Sequence, residues 1–190
     1  MQNVVRCTWC QKDDLYRNYH DTEWGIPSYN DHHLFEHLIL ETFQAGLSWY
    51  TILAKRENFR LAFDNFDAHK IVEYNEDKIN ELLLNAGIIR SLPKIKGAIN
   101  NANLYLKCVD EFGSFTKYIW QFTNHKIITN HWEMMKDLPS TSVQSDNMSK
   151  DMRKRGFKFI GSTTCYAYMQ SVGMVNDHLQ SCWRYKNKAV

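Results

Sequence analysis

The chain has 190 residues and a formal net charge of +2, so no polybasic surface is present and any nucleic-acid contact must be a local patch. Hydrophobic residues make up 44% and charged residues 23%, which excludes a disordered or fibrous chain. Five cysteines, an odd number, and no charged leader before an apolar run argue against a disulfide framework, a secreted protein and a membrane span; the expectation is a cytoplasmic protein with reduced thiols.

Apolar residues recur with helical rather than alternating period along the whole chain. "DLYRNYH" reads as helix, which would put Tyr16 and Tyr19 on one face. "HHLFEHLILETFQAG" reads as a buried helix ending near Gly46. Ser48 caps a helix over "WYTILAKRENFRLAFDNF", and Asn75 caps "NEDKINELLLNAG", with Gly87 at its C′ position. "SLPKIKGAINNANLYLKCVDEFG" carries Ser91 as cap, Pro93 in the first turn and Gly113 past the end. "SFTKYIWQF", "SDNMSKDMRKRG" ending at Gly156, and "GSTTCYAYMQSVG" between Gly161 and Gly173 complete the set. With no linker, repeat or low-complexity segment, the expected architecture is an all-α single domain over residues 1–190.

Three features carry chemistry. Glu41 stands among Leu38, Ile39, Leu40, Phe43 and Ala45, a setting in which a glutamate needs a partner. "HLQSC" places His178 and Cys182 at i, i+4, able to grip one metal ion. A tetrahedral zinc needs two more ligands, and the N-terminus offers either Cys7 with Cys10 or Cys7 with His20. Such a zinc would be closed and structural, tying the two ends of the chain together. Finally, "MRKRGFKFIGSTT" gathers Arg153, Lys154, Arg155 and Lys158 around a glycine-bounded turn that opens a helix at Ser162, an arrangement suited to phosphate. Each has a plain alternative: aromatic core packing for Tyr16, Tyr19 and Trp49, a solvated helix end for the basic run, and chance for the His–Cys pair.

The stretches "RCTW", "LYRNYHDTEWGIP", "LFEHLILETFQAGLSWYTILAKRENFR", "AGIIR" and "MSKDMRKRGFKFIGSTTCYAYMQSVGMVNDH" together resemble the type I 3-methyladenine DNA glycosylases, of the helix-hairpin-helix superfamily of repair enzymes. The resemblance runs from residue 6 to 182. It implies a helix-hairpin-helix fold, with the DNA-binding hairpin at about 150–175, and hydrolytic release of 3-methyladenine from alkylated double-stranded DNA. It implies zinc ligands Cys7, His20, His178 and Cys182, with Cys10 left over, and a base pocket of Tyr16, Tyr19, Glu41 and Trp49, in which Glu41 acts on the base. Lys158, Gly161 and Ser162 then fall on the DNA-binding hairpin, and Gly46 and Leu47 become a wedge that fills the vacated base stack. Asp177 in "VNDH" is the carboxylate nearest to a role in activating water, and no lysine holds an obvious Schiff-base position. The expectation is therefore a monofunctional, monomeric enzyme, with a non-enzymatic DNA reader and a free-nucleoside hydrolase as rival readings.

Overall fold

The computed structural model describes residues 4–186. The elements in chain order are α1 (Asp14–Thr22), α2 (Asp31–Gln44), α3 (Trp49–Leu53), α4 (Arg56–Ala62), α5 (Ala68–Ile71), α6 (Glu76–Leu84), α7 (Leu92–Phe112), α8 (Phe115–Trp120), β1 (Ile128–Thr129), α9 (Val143–Arg155), α10 (Ser162–Ser171), β2 (Val175–Asn176) and α11 (Trp183–Lys186); α5, α11 and the two strands are additions to the helices expected from the sequence. Asn30, Ser48, Asn75, Ser114 and Ser142 cap their helices through side-chain oxygens.

Helix α2 is the central element. Every residue from Leu34 to Phe43 is buried, polar ones included, as expected of a helix enclosed on all sides. Helices α4, α7 and α10 supply much of the surrounding apolar layer, and the Tyr168 hydroxyl of α10 donates to the Leu34 carbonyl at 3.1 Å. A smaller apolar cluster joins the chain ends through Cys7, Tyr19, Trp24, Leu53, Leu179 and Cys182. Close backbone passage fixes their junction. Gly173 has φ +72°, and a Cβ there would stand 2.2 Å from the Ile26 carbonyl carbon.

Three expectations need correction. The fold is helical but not purely so: β1 and β2 pair in parallel, Ile128 with Val175 and Thr129 with Asn176. Two residues are too few for an alternating pattern to show. The single helix expected after Ser48 breaks at Ala54–Lys55 and again at Asp64–Phe66, whose φ values are all left-handed. Ile52, Phe59, Phe63 and Phe66 are nevertheless all buried in the main core. Helix α6 ends at Leu84 without a left-handed glycine; the Asn85 side chain instead accepts the Gly87 N–H at 2.8 Å.

Candidate active site and metal centre

The C-terminal half of α2, the start of α3 and helix α1 meet around a cavity of about 190 Å³ lined by Tyr16, Tyr19, Glu41 and Trp49. All four sequence-derived pocket residues are thus brought together. The Tyr19 and Trp49 rings lie 5.4 Å apart and tilted by 43°. Trp9 and Trp24 extend the aromatic wall, Trp9 packing at 4.8 Å from Tyr16 and 5.0 Å from Trp24. Sequence reasoning passed over both, although they stand in the quoted "RCTW" and "TEWG". Met135 and Leu138, from the irregular segment before α9, and Gln170 and Ser171 of α10 close the far side.

Glu41 is 3% exposed, so its carboxyl does not point to water. Burial pushes its carboxyl up to about 8, opposed only by the Ser171 hydroxyl. No basic side chain compensates it. Two further polar atoms in this wall, Trp49 Nε1 and Gln44 Oε1, are buried without a hydrogen-bond partner. The pocket therefore combines aromatic faces, an unneutralised acid, one free donor and one free acceptor. Aromatic faces attract cations, and so does an acid whose ionised form lacks a partner. The arrangement selects a flat, cationic, hydrogen-bonding ligand.

Trp49 is held from behind. His37 stacks on it with centroids 6.0 Å apart. The His37 Nε2 lies 2.6 Å from Glu23, which also bonds His33 at 3.2 Å and Arg56 at 2.7 Å. Arg56 reaches Glu36 at 2.5 Å, and Arg60 reaches the same oxygen at 2.8 Å. Burial lowers the His37 imidazole to about 4, so it is neutral at pH 7. Burial resists ionisation of Glu23, but His33, His37 and Arg56 together hold it well below the usual carboxylate range.

A second cavity of about 200 Å³ shares Glu41 and Gln44 with the first and opens between Gly46, Leu47, Thr163 and Thr164. Leu47 is 41% exposed, at the rim where a wedge would act. The α9–α10 turn presents exposed Lys158 and Gly161. Ser162 faces inward, bonded to Asp146 and 3.0 Å from Ser145. Its hydroxyl is occupied, which leaves the turn's backbone to meet an anion. Arg155 is also withdrawn from the expected basic patch, paired with Glu111 at 2.6 Å and Asp151 at 2.9 Å and stacked on Phe112 and Tyr118. Helix α7 grips the turn: buried Asn101 accepts the Lys158 N–H at 2.8 Å and donates to its carbonyl at 3.1 Å, while Asn100 donates to the Gly156 carbonyl.

At the chain ends, ligand atoms of buried Cys7, His20, His178 and Cys182 lie within 4.8 Å of one another. Each imidazole turns one nitrogen inward and anchors the other. His20 Nε2 is 3.4 Å from the Cys182 sulfur while its Nδ1 meets Asp21 at 2.8 Å. His178 Nδ1 is 3.7 Å from both sulfurs while its Nε2 meets the Trp24 carbonyl at 3.1 Å. Such outer partners fix the tautomer that offers a lone pair to a metal. Cys10 is excluded from the group, donating instead to the Cys7 carbonyl at 3.1 Å. This answers the ligand choice that spacing left open. Asp177, next to His178, is fully buried and accepts Asn130 and Trp132 on one oxygen, Tyr166 and Gln170 on the other, each at 2.7 Å. Both oxygens are saturated, so Asp177 braces the pocket wall through Gln170 and is not placed to activate water.

The family profile described as methyladenine glycosylase matches residues 9–185. DNA-3-methyladenine glycosylase 1 of Escherichia coli (strain K12) is 43% identical over 96% of this chain and 97% of its own. A crystal structure of a 3-methyladenine DNA glycosylase I superposes with a TM-score of 0.92 at 42% identity, covering 94% of this chain and 98% of the other. A tyrosine-to-phenylalanine variant of such an enzyme, crystallised with 3-methyladenine, also gives 0.92, at 33% identity over 96% and 98%. This agreement defines a class, the hydrolases of N-glycosyl bonds. Within that class, the chain belongs to the methyladenine glycosylase family.

Proposed function

We propose that this protein excises 3-methyladenine from alkylated double-stranded DNA as a monomeric, single-domain, monofunctional glycosylase of the cytoplasm. The observation that carries the reading is Glu41, a buried acid without an internal cation inside an aromatic box. Methylation at N3 places a positive charge on the base and weakens its bond to C1′. The flipped-out nucleotide would stack its base on Trp49, with Glu41 ionising as the cation enters and accepting from the exocyclic amine. Water attacks C1′, the glycosidic electron pair returns to the purine and cancels its charge, and the water's proton passes to solvent. Because the substrate is already labile, selectivity comes from extrusion and cation recognition. No lysine lines the pocket, which supports hydrolysis without a Schiff-base lyase step. The α9–α10 hairpin, with Lys158, Gly161 and the first turn at Ser162, would hold the DNA backbone, and Leu47, presented by Gly46, would fill the stack. No helix among the described residues is long and apolar enough to cross a membrane.

Cys7, His20, His178 and Cys182 would hold a structural zinc. Bound there, zinc supplies a closed tetrahedral crosslink between the chain ends and no catalysis. Metal analysis should find one zinc per chain in the wild type and in Cys10→Ser, and none in Cys7→Ser; the reverse pattern refutes the site. The function itself is tested by incubating the protein with methylated duplex DNA and identifying any released base by chromatography. Free 3-methyladenine with matching abasic sites is the expected result. DNA binding without base release would make the protein a reader, and equal cleavage of free nucleosides would make it a nucleosidase.

A further inference from the structure

Between α2 and α3 the chain reverses through Gln44–Leu47. Ala45 has φ −46° and ψ 115°, Gly46 has φ +80°, and the Leu47 N–H donates to the Gln44 carbonyl at 2.6 Å. This is a type II turn, with glycine at the position that needs positive φ. Glycine also tolerates the type I alternative, in which the central peptide is turned over and its carbonyl points to the opposite side of the turn. Nothing lies within 4 Å of a Cβ built on Gly46, so no packing at this glycine selects between the two.

The selecting group comes from elsewhere in the chain. Lys94, in the first turn of α7, donates through Nζ to the Phe43 carbonyl at 2.9 Å and to the Ala45 carbonyl at 2.6 Å. The first is an unpaired carbonyl of the α2 C-terminus, where a cation is favoured. The second is the oxygen of the central turn peptide itself. Among the described residues no carboxylate is paired with Lys94, so its charge is directed to these two carbonyls alone. We propose that Lys94 is a positioning residue for nucleotide extrusion: by binding the Phe43 and Ala45 carbonyls it ties the Gln44–Leu47 turn to the start of α7, and the turn so held keeps Leu47 at the rim of the cavity. This rests on reading Leu47 as the wedge.

A duplex has a stack to fill and a single strand does not, so the ratio of kcat/KM on the two forms of one methylated oligonucleotide isolates the wedge. Leu47→Ala and Lys94→Met should each lower that ratio about tenfold, with free 3-methyladenine affinity and zinc content unchanged, and Lys94→Arg should restore most of it. If Leu47→Ala leaves the ratio intact, the wedge reading fails whatever Lys94 does. If Leu47→Ala lowers the ratio and Lys94→Met does not, the role given to Lys94 is overturned. It is equally overturned if Lys94→Met reduces the salt dependence of DNA binding by one phosphate contact, since Lys94 would then touch DNA directly. Should Lys94→Met fail to fold, Lys94→Leu, which likewise lacks a donor, gives the same comparison.

Discussion

Two glutamates, one half-buried and one fully buried, lie on opposite sides of Trp49 and are treated in opposite ways. Glu23, behind the indole, is surrounded by Arg56, His33 and His37 and is held strongly ionised. Glu41, in front of it, has only the Ser171 hydroxyl and is pushed up to about 8. The half-buried acid in the wall of the site is neutralised, whereas the fully buried one in its cavity is left unneutralised. The difference teaches that the missing charge is to come from outside the protein. Glu23, His33 and His37 also lie close enough to suggest a metal cluster, but the Arg56 guanidinium, 3.3 Å from His37 and 2.7 Å from Glu23, already serves as their cation. The Cys7/His20/His178/Cys182 group contains no such internal cation.

The most damaging way to break this contrast is to remove Arg56. Arg56→Met leaves buried Glu36 and half-buried Glu23 without their main counter-charge and should cost about 3–5 kcal/mol, read as a fall in Tm of roughly 10 °C. A melt within 2 °C or so of wild type would show that Glu23 does not depend on Arg56. Next in size, Glu41→Gln should act in the opposite sense on stability. Glu41 is harder to ionise in the folded chain than at its ordinary value of 4.5, so stability falls as pH rises from there to about 8 and is level above. Removing that group should raise stability at pH 7 by about 3 kcal/mol and abolish the pH trend, while weakening 3-methyladenine binding about tenfold to a hundredfold. A variant that is both less stable and equally tight would refute the account of Glu41.

The contrast sharpens further in proton uptake. Calorimetry of the binding of a permanently cationic 3,9-dialkyladeninium at pH 7, repeated in buffers of different ionisation heat, should show a proton leaving Glu41 in the wild type and none in Glu41→Gln. Smallest of all is His33→Gln. His33 is the outermost partner of Glu23, with its side chain 30% exposed, and its loss should change stability by less than about 1 kcal/mol. A larger cost would mean that Glu23 relies on its histidines rather than on Arg56.

The sequence by itself determined most of the helices, their caps and their ends, because helical periodicity and capping chemistry are local. Ser48, Asn75 and Gly113 act within a few residues of where they stand. It also marked Glu41 as anomalous, since an acid among apolar neighbours is visible without a fold. Tertiary structure alone decided what each anomaly meets. Trp9, Trp24 and Gln170 joined the pocket across long sequence gaps, Cys10 turned to a backbone carbonyl rather than to the metal group, and Arg155 left the basic patch for Glu111. Asp177 became a saturated brace, and Lys94 reached back 49 residues to Ala45. The physical reason is common to all of these. Periodicity shows which face of a helix is buried, but the partner of a buried polar group is supplied by whichever distant element the packing brings alongside it.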